Sequence, residues 1–459
     1  MMTEADVSSI TACIADPARM LTSPQVVQRL SKDFYWYSPI LKKLLDDKVA
    51  DAVVQPVSTE EVVRVLACCY RRRIPVTARG AGTGNYGQAV PLAGGVVLDL
   101  SRMDTIEAIT TDGVAIAGPG VRLGSLENAA REQGWELRCY PSTIAKASLG
   151  GFLGGGSGGI GSVAHGGLRD FETVQAIEVV TMEAEPRVEL HEGERVHEVL
   201  HAWGTNGIIT KIWLALTAAV EWAQCSVAFD SFDAAFDFSE KTANDPYWIK
   251  RLITVFEWPI PACFTPIAST TREGKALIFF MIALSQLDSL QTVAAEAGGE
   301  ITLAASYHGL KTVPLLSDYT WNHTTLWAIK KDGALTYLQC GFSPAEARDQ
   351  FRNLKNKFGD EILFHLEFMK TGAGIIIPGA IPIVRFSTEQ RLNEMIEYCL
   401  SIGVSVANPH NNHVEGGGRY RADHVQLLAK QNNDPRGLLN PGKMITYQPA
   451  EELSVSTPT

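Results

Sequence analysis

Glycine crowds into two stretches of this 459-residue chain, residues 80–95 and 150–167, and that crowding limits what the chain can fold into. Forty glycines in all is a modest excess, so the information lies in where they stand. Ordered glycine costs backbone entropy and is kept where the main chain must take positive φ or come close to something else. Both stretches lie between strongly patterned segments, which argues against flexible linkers and for ordered loops.

The flanking pattern alternates helix and strand. Ser58 with Glu61 three residues on forms a capping box, and Val62, Leu66 and Cys69 keep a helical period up to the basic run Arg71, Arg72, Arg73. A strand is expected over 74–78, then the loop 79–89, strands over 95–100 and 114–117, and a helix over 123–133. Past Val220 the strand-like runs 276–284, 362–369 and 381–386 alternate with helices expected over 343–358, capped by Ser343 with Pro344 and Glu346 behind it, and 388–402. The chain is therefore expected to be α+β in two units: residues 1–220 plus 404–459, and an inserted α+β unit with antiparallel sheet over 221–403. The tail after Pro449 is expected to be disordered.

Composition removes some function classes. Lys and Arg total 40 against 51 Asp and Glu, a formal charge of -11, and such a surface repels polyanions. Nucleic acid is not expected as a partner. The eight cysteines are scattered without a CxxC pair, as reduced thiols are. The start, MMTEADVSSI, is acidic where a signal peptide is basic, and no apolar run is long enough to span a membrane. A cytoplasmic protein without a membrane span is expected.

Two short motifs compete for the chemistry. Gly82-Thr-Gly-Asn-Tyr-Gly87 matches GxGxxG after a strand, but the next residues include Pro91 and lead into another strand, so the helix that a dinucleotide fingerprint must open is missing. Consecutive amides of such a loop still form a nest for a diphosphate. His197-Glu198-Val-Leu-His201 matches HExxH, which on a helix would hold zinc for a metallopeptidase. Residue 207, where an extended zinc motif carries a third His, is Gly207, and residues 205–216 read as a buried strand. The zinc reading therefore ranks second.

Three separated segments then carry a resemblance. Residues 74–106 (IPVTARGAGTGNYGQAVPLAGGVVLDLSRMDTI), 141–170 (PSTIAKASLGGFLGGGSGGIGSVAHGGLRD) and 434–444 (DPRGLLNPGKM) resemble the FAD-binding segments of the vanillyl-alcohol oxidase/p-cresol methylhydroxylase (PCMH-type) flavoproteins, a superfamily that includes D-lactate and glycolate dehydrogenases. The resemblance implies a two-lobed FAD domain with an inserted substrate cap, and oxidation of a CH–OH group by hydride transfer to flavin N5. It implies cofactor contacts from Arg79, Gly80, Ala81, Gly82, Thr83, Gly84, Asn85, Tyr86 and Gln88 in the first loop. From the second it implies Pro141, Ser142, Thr143, Gly150, Gly151, Gly156, Ser157, Gly159 and Ser162. Gly207 and Ile208 match the stretch that meets the adenine, and Asn440 and Lys443 stand in the C-terminal segment. Relatives that hold FAD covalently carry a His in the first loop or a Cys directly before the Pro-Thr-like pair. Here the loop has no such His, and Tyr140 stands where the Cys would be, with Cys139 one residue early. Dissociable FAD is expected.

Catalytic candidates follow from the same resemblance and from residue chemistry. Asp170 lies near where phenol-oxidising relatives place an acid. Tyr307, Trp321 and His323 fall in a polar-aromatic segment with Tyr319 and Trp327, which favours an aromatic or bulky alcohol or hydroxy acid over lactate or glycolate. Arg385 and Arg419 are carboxylate-anchor candidates, since a guanidinium fork suits a carboxylate. The metal signature of some hydroxy-acid relatives is absent. His410, His413 and Glu415 stand in its place, and His410 is read as a flavin-lining residue, with no metal expected. The electron acceptor (oxygen, a quinone or a carrier protein) stays open, as does assembly into a homo-oligomer.

Overall fold

The computed structural model describes residues 2–415 and 424–449; Arg419 and the tail after Pro449 lie outside them. Ser58 caps the helix Thr59–Arg71 by accepting the amide of Glu61. The other half of the expected capping box does not form, because the Glu61 carboxylate takes Arg19 and the amides of Ala15 and Val57 instead. The helix buries Val62, Val65, Leu66 and Cys69 against Val76, Val96 and Leu98 of the first sheet, each full burial contributing about 1.5–3 kcal/mol.

That sheet has four strands in the order Met20–Leu21, Ala52–Val54, Val96–Asp99, Val76–Arg79, the last three parallel. The first glycine stretch leaves the carboxyl end of Val76–Arg79 and returns as Val96–Asp99. The C-terminal segment comes back to this lobe: Val76 donates to Leu438 O, and Asn440 donates to Val76 O.

A second, six-stranded sheet is built around the long strand Ile208–Ala218, flanked by Val114–Ala117 and Val174–Val180 and met by Trp135–Leu137. Residues 205–216, read as a buried strand, supply most of it. The second glycine stretch includes the short helix Leu149–Gly155, packed on this lobe's core through Leu149, Phe152 and Leu153.

The third sheet has eight antiparallel strands between residues 222 and 407, in the order Glu300–Ser306, Trp222–Phe229, Ala276–Ala283, Lys250–Phe256, His365–Lys370, Ile376–Ala380, Gln339–Gly341, Ser405–Ala407. Helices Phe232–Asn244, Ala347–Phe358 and Glu389–Ser401 cover one face through Phe236, Phe351, Leu354, Leu392 and Met395. The second of these starts three residues later than a Ser343 cap implies, with Glu346 at the cap, and the Ser343 amide is donated to the Gln350 side chain. The run 362–369 splits at Phe364, whose amide is donated to Glu257, so Ile362–Leu363 joins a separate three-stranded sheet with Leu335–Tyr337 and Ile383–Arg385. Among the described residues no helix is long and apolar enough to cross a membrane.

Candidate active site

The two glycine stretches face one cavity of about 410 Å³, and the eight-stranded sheet closes it from the other side. From the first loop come Arg79 through Tyr86 and Gln88; from the second come Pro141, Ser142, Thr143, Gly150, Gly151, Gly156 and Ser157; Gly207 completes this floor. The loops touch each other directly. A Cβ on Gly80 would stand 2.2 Å from Ser148 Oγ and 3.2 Å from Gly151 Cα, so glycine there serves loop-on-loop packing. Ser148 Oγ accepts the Ala81 amide at 3.0 Å, and Gln88 donates to Gly155 O at 3.0 Å, clasping the pair.

Whether the floor fits a diphosphate-bearing cofactor can be tested on its own atoms. The amides of Gly82, Thr83, Gly84 and Asn85 take no partner among the described residues, and their residues line the cavity. Gly154 also lines it, and a Cβ built there would meet nothing within 4 Å, so the missing side chain leaves room. Arg79 is buried, its guanidinium donating to Lys32 O at 2.6 Å beneath Gly82. Tyr86 and Trp203 stack at 6.1 Å and 19° and give the cavity a flat wall. Amides for a diphosphate, space without side chains and a wall for a planar ring together suit a flavin dinucleotide.

The remaining predicted cofactor residues stand behind this surface. Asn440 donates to Gln88 O and Trp203 O, and buried Lys443 donates to Gly87 O at 2.6 Å, so both hold the first loop from its far side. Burial pulls the Lys443 ammonium down to about 8. Gly159 packs against the Tyr140 backbone, Ser162 Oγ accepts the Gly159 amide, and Ile208 begins the long strand inside the core.

Of the catalytic candidates, His323 lines the cavity, as does its neighbour Trp321. His323 Nδ1 lies 3.1 Å from Asp318 O and must donate to it, which leaves Nε2 as the acceptor nitrogen. Burial holds this imidazole down to about 4, so it is neutral at neutral pH. Asp170 accepts the Gly167 amide and lines a side recess of about 170 Å³ that shares Gly156, Ser157, His201 and Met369 with the main cavity. The other three candidates are not among the cavity-lining residues. Tyr307 packs beside the second lobe's core, Arg385 is exposed and paired with Asp332 at 2.8 Å, and His410 is buried between Ser38 Oγ and Tyr337 O. Tyr319 and Trp327 stack on one another at 5.3 Å, away from the cavity lining.

The zinc alternative finds no matching geometry. Gly193–Glu198 is a 3-10 segment, His201 has φ +55, and its Nδ1 bonds Gly156 O, so the two histidines are not one turn apart on an α-helix. Glu415 accepts Ile445 and Thr446, and His413 bonds Gly442 O. Among the described residues no three metal-binding side chains are gathered.

Several lining residues were not expected from sequence. Asp33 is buried against the first loop, accepting the amides of Tyr35 and Ala89, and burial pushes its carboxyl up to about 6. Next to it Phe34 donates its amide to Gly84 O at 2.7 Å. On the roof, Glu367 and Met369 line the cavity from the strand His365–Lys370. A signal for Glu367 existed: a carboxylate two residues after His365 in an apolar strand shares its face. Three bulky residues with positive φ, His201, Trp203 and Trp321, also line the cavity, and backbone strain of this kind concentrates at functional sites.

Comparison with known proteins agrees with this geometry. Residues 50–188 match the model of the FAD binding domain family. The chain is 32% identical to the D-lactate dehydrogenase of Archaeoglobus fulgidus over 425 residues, covering 86% of this chain and 91% of that one. It is 23% identical to the glycolate oxidase subunit GlcD of Bacillus subtilis over 437 residues, 86% and 88% of the two chains. A solved alkyldihydroxyacetonephosphate synthase shares the fold with a TM-score of 0.74 at 16% identity, over 96% of this chain and 86% of that one. The expected cofactor and fold are thereby established: the chain belongs to the p-cresol methylhydroxylase-type family of FAD-linked oxidases and dehydrogenases, and it is an FAD-dependent oxidoreductase.

Proposed function

We propose that the protein oxidises the CH–OH carbon of a small hydroxy acid. Support for the hydroxy-acid class comes from the near full-length likeness to a D-lactate dehydrogenase. Bound FAD supplies the hydride acceptor. The amides of residues 82–85 and the room beside Gly154 would hold its diphosphate, and Tyr86 with Trp203 would face its ring system. The observation that carries the reading is His323, which lines the same cavity, with Nε2 as its acceptor nitrogen. A neutral imidazole so placed takes the hydroxyl proton as the carbon is oxidised. Trp321, Leu326, Met369 and Ile381 give the roof an apolar area, which favours a substrate with a bulky or aromatic substituent.

Anaerobic mixing with D-lactate, glycolate and the aromatic hydroxy acid mandelate tests this through bleaching of the flavin. At least one acid should reduce it, mandelate fastest. His323→Ala should slow reduction by about 10²–10⁴-fold while FAD content stays unchanged. Unaltered reduction in that variant removes His323 from the reaction.

The same reading gives an FAD unit of residues 1–220 with 404–459 and a substrate cap of 221–403. Non-covalent FAD is supported by the first loop, which offers no histidine, and by Cys139, buried with its thiol pushed up to about 12. Acid precipitation should therefore release the flavin. No disulfide joins the cysteines among the described residues, which supports a reducing, cytoplasmic setting.

A further inference from the structure

Trp321 is held in a backbone conformation that a bulky side chain rarely takes, φ +53 and ψ -138, immediately before the helix Asn322–Lys331 that carries His323. Left-handed backbone of this kind costs free energy and persists only where neighbours enforce it. The neighbour here is Glu367. Its Oε1 accepts the Trp321 amide at 2.7 Å and stands 2.9 Å from His365 Nε2, and its Oε2 accepts Thr254 Oγ–H at 2.6 Å. Glu367 is 2% exposed and His365 fully buried, with Phe256 stacked on the imidazole at 5.1 Å. His365 Nδ1 bonds Ile381 O at 3.2 Å, so one buried cluster fixes two parts of the cavity wall, Trp321 and Ile381.

With one oxygen on the Trp321 amide and the other on Thr254 Oγ–H, Glu367 is poorly placed to act as a base and well placed to orient what it holds. We infer that Glu367 is a positioning residue and Trp321 a specificity-determining one: together they form an apolar platform for the substrate's substituent that rejects a second carboxylate. The residues between 321 and 381 that line the cavity include no Lys or Arg, and the one charged side chain among them is the Glu367 carboxylate. The described lining residues that carry a cation, Arg79 and Lys146, belong to the two loop segments, so a second carboxylate against this wall would lose its water without a cation among the wall's described residues to replace it. Substrates are accordingly monocarboxylic hydroxy acids with an apolar or aromatic group. This rests on the reading that the cavity takes the substrate.

The test uses two unreactive probes on the holoenzyme, benzoate and succinate, with binding read from the flavin's visible spectrum. Benzoate should bind and succinate should not; succinate binding as tightly as benzoate overturns the proposal. Glu367→Gln puts an amide N–H against the Trp321 amide or the Thr254 hydroxyl and should weaken benzoate roughly tenfold. Trp321→Ala should do the same, and adding Glu367→Gln to it should weaken benzoate no further, because the carboxylate acts through the ring. An equal loss from Glu367→Gln with and without the indole assigns Glu367 a merely structural role. Should Glu367→Gln fail to fold, Trp321→Ala with undiminished benzoate affinity still refutes the platform. The probes are not turned over, so failure of the platform is distinguishable from failure of any hydroxy acid to reduce the flavin.

Discussion

The floor and the roof of the cavity are built on opposite principles. On the floor the main chain is the recognition surface: side chains have been removed from Gly80, Gly82, Gly84 and Gly154, and the polar side chains nearby, Ser148, Gln88, Asn440 and Lys443, brace loops. On the roof the side chains of Trp321, His323, Glu367 and Met369 form the surface, carried on a sheet and a helix N-terminus. The difference follows from what each must recognise. A diphosphate is met by consecutive amides at a fixed spacing, which only certain backbone shapes deliver, whereas a substrate's shape is matched by side chains that differ from one enzyme to the next.

The comparison breaks most visibly at Gly84. A side chain there would meet Gln88 at 1.9 Å, and a carboxylate would bring like charge to the diphosphate. Gly84→Asp should leave the purified protein without flavin, whereas the roof variants His323→Ala and Trp321→Ala should retain it. Ultraviolet–visible spectra of the three proteins decide the matter. A Gly84→Asp protein with full flavin would show that the floor is not the cofactor surface.

The same contrast explains what the sequence made legible. The floor could be read because glycine is scarce in ordered chain and its clustering is a local pattern, and the strand at Val114–Ala117 stood out for similar reasons. The roof's Glu367 is marked only by its spacing from His365 in an otherwise apolar strand, and Asp33 lies in an N-terminal segment with no period to flag it. Arg385 and His410 were chosen by residue type, and residue type does not say where a side chain ends: one meets Asp332 at the surface, the other Ser38 in the interior. HExxH was legible as letters only, since its spacing has meaning on an α-helix and the chain makes a 3-10 turn there.

A seam variant should disturb both halves at once. Arg251, on the strand Lys250–Phe256 of the roof sheet, reaches into the second lobe to donate to Glu127 at 3.1 Å and Leu137 O at 2.9 Å, and it lies over the Tyr140 ring at 4.7 Å. Its carbonyl accepts the Gly161 amide, so it grips the second glycine stretch from within as well as the Tyr140 segment ahead of it. Arg251→Met leaves Arg131 as the one cation paired with Glu127 and Glu136 among the described residues and should cost about 3–5 kcal/mol of stability, read by denaturant unfolding. Adding Glu136→Gln should recover part of the loss. Unfolding at the wild-type midpoint would mean that the seam is not held by this network.

The smallest effect expected is a pH dependence at the second joint between floor and roof. His410 donates from Nε2 to Tyr337 O and accepts at Nδ1 from Ser38 Oγ, whose oxygen also takes the Leu41 amide as cap of the helix Pro39–Leu45. Burial lowers this imidazole from its ordinary 6.5 to about 4. Because the folded state disfavours the charged form, the unfolded chain binds more protons between those values, and stability falls as the solution is acidified. The contribution of His410 is fully present above pH 6.5 and is lost progressively towards pH 4, amounting to about 3 kcal/mol by the usual conversion. His201, His323 and His165 are also held near 4 and add to the total acid sensitivity, so the comparison must be made between proteins differing at one residue. His410→Asn should flatten part of the stability profile between pH 6.5 and 4 while leaving that above pH 7 with only the cost of the lost hydrogen bonds. If wild type and variant lose stability in parallel across that range, protonation of His410 does not loosen the joint, and the acid sensitivity belongs to other groups, His165, His201 and His323 among them.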